Sequence, residues 1–110
     1  MKSNDALMAL SALAQETRLA IFRRLVRAGP YGETAGAIAE ALAVPAPTLS
    51  FHLKDLERAG LVVQRRESRN LIYAARTETM RDLLAYLMKD CCGGCPEICD
   101  VTMEERCDAG

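Results

Sequence analysis

The sequence predicts a mainly α-helical chain with one β-hairpin, and three observations carry that expectation. Apolar residues recur at helical spacing through four segments before residue 60. The period then switches to that of two short strands flanking Glu67-Ser68-Arg69-Asn70. A final helical stripe runs from about Thr77 to Asp90. With 110 residues, half of them apolar, the chain is long enough for one compact core, although a partner subunit would cover what a small domain leaves exposed. No internal repeat or low-complexity linker interrupts it.

Asp5 is placed to cap a first helix carrying Leu7, Leu10, Leu13 and Ala14 on one face. A second helix passes through Thr17-Arg18, with Leu19, Phe22, Leu25 and Val26 inward and Arg23, Arg24 and Arg27 outward as a solvated face; Gly29-Pro30 ends it. Thr34 suits the N-cap of a short helix, Ala35 to Ala43, in which Ile38 and Leu42 repeat at i, i+4. The tight connection Val44-Pro45-Ala46 leads to Pro47, a residue favoured at the first position of a helix. Leu49, Leu53 and Leu56 line one face of that fourth helix, leaving Thr48, Ser50, Phe51, Lys54 and Arg58 to face outward or sideways, and Gly60 stops it. Residues 61–66 and 71–76 form the hairpin strands. Met80, Leu83, Leu84, Leu87 and Met88 make a broad apolar stripe on the last helix.

Composition excludes several classes. No apolar run approaches membrane-spanning length and the N-terminus has no secretory pattern, so the cytoplasm is the expected location. The net charge of −1 conceals an asymmetry. Residues 1–88 hold twelve Lys/Arg and nine Asp/Glu, a net +3, while residues 89–110 hold two and six, a net −4. A mildly basic body therefore carries an acidic tail, and phosphate binding responds to local charge. All five cysteines, Cys91, Cys92, Cys95, Cys99 and Cys107, fall in the last twenty residues. In the cytoplasm such clusters bind metal or react rather than form structural disulfides, and an odd number suits a disulfide framework poorly.

A short helix, a tight turn, a second helix and a basic hairpin together describe a winged helix-turn-helix. The second helix of such a unit enters the major groove. Thr48, Ser50 and Lys54 are expected to meet base edges, and exposed Phe51 a thymine methyl. Arg65, Arg66 and Arg69 of the hairpin are expected to touch phosphates or enter the minor groove. His52, the single histidine, lies beside the leucine face and is read as packed and hydrogen-bonded. With no general base, phosphate loop or carboxylate pair, the chain is not read as an enzyme.

The segments Leu13-Ala14-Gln15-Glu16-Thr17-Arg18-Leu19-Ala20-Ile21-Phe22-Arg23-Arg24-Leu25 and Pro47-Thr48-Leu49-Ser50-Phe51-His52-Leu53-Lys54-Asp55-Leu56, followed by Ala59-Gly60-Leu61-Val62 and a wing, resemble the ArsR/SmtB family of metal-responsive repressors. The resemblance covers about residues 6–90. It implies a homodimer packed through the first and last helices, bound to double-stranded operator DNA and released by an inducer. It also divides the chain into a DNA-binding and dimerisation domain, 1–90, and a cysteine-rich sensor tail, 91–110.

This sequence departs from the family in its metal sites. Where some members carry a Cys-x-Cys box, Thr34 and Gly36 stand here, and the last helix has no histidine. The sensor is therefore expected in the tail, with Cys91 and Cys92 at the helix end and Gly93-Gly94 allowing a sharp reversal. Trivalent arsenic or antimony takes three sulfur ligands, and Cys99 is the expected third, with Cys95 as the alternative and Cys107 dispensable. Family members with a similar tail are arsenic-responsive; methylated trivalent arsenicals, which use fewer thiols, also fit as inducers. The same thiols suit a structural zinc site, through Cys92-x2-Cys95 and Cys99, or a redox switch, and the tail would then act as a protein-interaction module. Neither an organic cofactor, a small-molecule substrate nor a membrane is expected as partner.

Overall fold

The computed structural model describes residues 1–89. The elements follow in the order α1 (Ser3–Leu13), α2 (Glu16–Ala28), a 3₁₀ turn (Gly29–Tyr31), β1 (Glu33–Thr34), α3 (Ala35–Leu42), α4 (Ala46–Arg58), β2 (Val62–Glu67), β3 (Asn70–Ala75) and α5 (Thr77–Met88). The hairpin β2–β3 pairs Val62 with Ala75 and Glu67 with Asn70, so that Ser68 and Arg69 alone make the turn, Ser68 at φ 57°. This is the mainly helical, winged architecture expected, with each strand displaced by one residue.

One strand was not foreseen. β1 adds antiparallel to β3, opposing Glu33 to Tyr73 and Thr34 to Ile72, and makes a three-stranded sheet in the order β1-β3-β2. Its approach is close: Gly32 has φ +73°, and a Cβ there would fall onto the Tyr73 carbonyl. Only glycine fits both constraints. Arg24, expected to be solvated, instead grips the start of β1 through two bonds to Glu33, 2.7 and 2.9 Å long.

The core gathers Ile21 and Leu25 from α2, Ile38 from α3, Leu49, Leu53 and Leu56 from α4, and Leu61, all essentially without solvent contact. Val62, Tyr73 and Leu83 close it from the sheet and α5. Three helix starts and stops follow local chemistry. The Thr34 hydroxyl accepts from the Ala37 N–H at 3.1 Å, as an N-cap does. The Gln15 side chain accepts from the Arg18 N–H at 2.8 Å. Gly60 at φ +77° ends α4, where Leu61 N–H returns to the Leu56 carbonyl.

Three expectations are corrected. Asp5 does not cap α1; it lies within the first turn and its carboxylate reaches back to the Lys2 N–H at 3.2 Å. The face α1 buries is not its leucine face but Ala6, Ala9 and Ala12, while Leu7 is 61% exposed and Leu10 is also exposed. On α2 the inward set is Ile21, Phe22 and Leu25, leaving Leu19 and Val26 exposed at 42% and 45%. On α1 the small side chains let the helix approach closely, which rotates its bulkier ones away from the interior. The last helix ends at Met88, where Lys89 turns extended, short of the expected Asp90; Asp90 and all five cysteines lie outside the described residues.

Candidate nucleic-acid interface

α3 and α4 are joined by three residues, Ala43, Val44 and Pro45, with Ala43 in the left-handed region at φ 55°. That turn sets α4 across α3 in the helix-turn-helix arrangement. The helix begins at Ala46, which moves Pro47 one place inward from the expected first position, still within the turn where its missing N–H costs nothing. Leu49, Leu53 and Leu56 anchor α4 to the core, so the opposite face is open. Thr48, Ser50, Phe51 and Lys54 are all exposed there, Phe51 at 73%. Pro47, Ser50, Phe51 and Lys54 share one shallow cleft. An exposed phenylalanine flanked by a hydroxyl and an ammonium offers apolar, hydrogen-bonding and cationic contacts within about one helical turn.

The three wing arginines differ. Arg66 and Arg69 are exposed and make no hydrogen bond or ion pair with the described residues, so both guanidinium groups are available to an anion. Arg65 is committed within the fold. It donates to the Tyr31 carbonyl at 2.9 Å, the Pro30 carbonyl at 3.4 Å and the Glu67 carboxylate at 3.2 Å, tying β2 to the turn after α2. Spacing along a strand cannot reveal that difference, because the carbonyls belong to residues more than thirty positions away.

His52 lies half-buried with Nδ1 3.4 Å from an Arg18 nitrogen, the packed and hydrogen-bonded setting expected of it. Sequence reasoning had not connected Arg18 and Asp55, whose 3.3 Å ion pair joins α2 to α4. Beneath the wing, Tyr73 is buried, and burial together with the Glu57 carboxylate raises the pKa of its phenol above the ordinary value. Thr34 serves as the N-cap of α3. Among the described residues no group of three or more His, Cys, Asp or Glu side chains converges, and no helix is long and apolar enough to cross a membrane.

Comparison with known proteins agrees with this geometry. A family model for a helix-turn-helix domain matches residues 13–65. The chain is similar to YceK of Bacillus subtilis (strain 168), an uncharacterized HTH-type transcriptional regulator, with 34% identity over 85 residues that cover 76% of this chain and 84% of YceK. It resembles the structure of an ArsR-like transcriptional regulator from Rhodococcus sp. RHA1 with a TM-score of 0.68 and 26% identity, over 78% of this chain and 77% of that one. HlyU from Vibrio cholerae N16961 matches with a TM-score of 0.63 and 34% identity, over 79% of this chain and 97% of HlyU. A helix-turn-helix with an open recognition face, a wing bearing free arginines and these likenesses agree, and the chain belongs to the ArsR/SmtB family of helix-turn-helix transcriptional regulators.

Proposed function

We propose that this protein is a homodimeric repressor that leaves its operator when trivalent arsenic or antimony binds thiolates of its C-terminal cysteines. The observation that carries the inducer is the placement of every cysteine of the chain just after α5, in a protein with no thiol before Cys91. Soft thiolates select soft ions, and three sulfurs complete the coordination of trivalent arsenic without histidine or carboxylate. Cys91 and Cys92 supply two of them and Cys99 the third, with Cys95 as the alternative.

Dimerisation is supported by the apolar surfaces of α1 and α5. Leu7, Met8 and Leu10 on α1 and Leu84, Tyr86 and Leu87 on α5 are exposed in the single chain. Adjoining helices that bare large apolar side chains together mark a protein interface. The operator would be read by Thr48, Ser50, Phe51 and Lys54 in the major groove, with Arg66 and Arg69 on phosphates or in the minor groove. Arg65 would hold the wing in place and touch phosphate only with the part of its side chain left open.

The test is operator binding by purified protein, titrated in parallel with arsenite, antimonite, zinc and cadmium. Release by arsenite and antimonite at low concentration supports the proposal. A tail that keeps zinc through DNA binding and ignores arsenite would instead mark a structural zinc module.

A further inference from the structure

Three helices meet at one guanidinium group. Arg18, in the first turn of α2, donates through Nε to the Ala12 carbonyl at the end of α1, 2.7 Å away. Its Nη1 donates to Asp55 Oδ2 at 3.3 Å and lies 3.4 Å from His52 Nδ1, both on α4. The other oxygen of Asp55 accepts from Arg58 at 3.4 Å. The Arg18 side chain is only 18% exposed.

We propose that Arg18 is a positioning residue for operator recognition: it fixes the angle at which α4 presents Ser50, Phe51 and Lys54, without touching DNA itself. The inference rests on the reading of α4 as the DNA-recognition helix and adds what sets its orientation. Leu49, Leu53 and Leu56 hold α4 against the core, but apolar burial has no direction and tolerates a small roll. Base-edge hydrogen bonds weaken steeply when donors and acceptors move off line. A rigid planar fork bonded to two α4 side chains one turn apart, and to the α1 backbone, supplies the missing direction. Asp55 is more than a third exposed, so the ion pair adds little to stability. Its loss should therefore appear in discrimination between sequences. Phosphate binding through Arg66 and Arg69 has no part in this contact and should persist.

The experiment compares the parent dimer with Arg18→Lys, Asp55→Asn and the double variant. Each binds the duplex that the parent selects from a random pool, and a scrambled duplex, at one salt concentration. Lysine keeps the charge but lacks the fork. Arg18→Lys and Asp55→Asn should each lower operator affinity roughly tenfold, the scale of one mismatched base pair. Scrambled-duplex affinity should stay within about twofold, and the double variant should lose little more than either single one. Equal losses on both duplexes, or losses that multiply in the double variant, would overturn the proposal. Asp55→Asn decides alone if Arg18→Lys does not fold. A parent that selects no duplex at all would instead sink the DNA-recognition reading beneath it.

Discussion

On α4 the large apolar side chains, Leu49, Leu53 and Leu56, point into the core, and a mixed polar, basic and aromatic set points out. On α1 the order is reversed: alanines at 6, 9 and 12 point in, while Leu7, Met8 and Leu10 point out. α5 follows α1, with Leu83 inward and Leu84, Tyr86 and Leu87 outward. Both surfaces have helical period, yet they call for different partners. Water, phosphate and base edges suit the outer face of α4, where Phe51 is the single large apolar side chain, whereas the grouped apolar side chains of α1 and α5 suit another protein surface. The difference teaches that periodicity locates a face but not what the face meets.

The largest expected effect falls on the apolar surface. Leu84→Glu or Leu87→Glu would place an unpaired charge in the proposed dimer interface and weaken association roughly a hundredfold or more. Sedimentation at micromolar concentration reads this directly, and a parent protein that sediments as a stable folded monomer would break the comparison. Next comes the buried side of α1. Ala9→Leu should cost about 1–3 kcal/mol in urea unfolding through overpacking, while Leu7→Ala should weaken the dimer and barely alter the fold. If the two substitutions have similar effects on unfolding, the two faces of α1 have been misassigned.

On the DNA side the effects are smaller. Replacing Arg66 and Arg69 together by alanine should weaken binding to every duplex and reduce the salt slope by about 2, one unit per phosphate contact. Arg65→Ala should leave that slope nearly unchanged, because Arg65 is spent on the Pro30 and Tyr31 carbonyls. Equal slope changes for all three arginines would contradict the division of the wing. The smallest effect is expected at Ser50→Ala and Lys54→Ala. Each should reduce operator-to-random discrimination by a few-fold to roughly tenfold, with affinity for random duplex much less affected.

These regions were not equally legible in the sequence. The helix-turn-helix and wing announced themselves through local signals: Thr34 as a cap, Gly60 as a stop, and a change of period after Gly60. β1 did not, because two residues carry no alternation and its pairing depends on Tyr73, forty positions away. The inner face of α1 was misjudged because leucine outweighs alanine in any apolar pattern, although alanine is what close helix approach requires. The committed role of Arg65 and the link from Arg18 to Asp55 span 34 and 37 positions and rest on backbone carbonyls and side-chain geometry that no spacing encodes. The exposed face of α4 could be chosen from the sequence because a leucine stripe leaves one opposite face.

The central claim, that the terminal thiols control a DNA-reading fold ninety residues long, is tested most directly by one titration. Operator-bound fraction is followed as arsenite is added to the parent, to Cys91→Ser and to Cys92→Ser. All three proteins should bind the operator equally without arsenite, and only the parent should leave it as arsenite rises, each arsenic–sulfur bond forming as a thiol proton departs with an arsenous acid hydroxyl as water. Release of either serine variant at the same arsenite concentration as the parent would contradict the account.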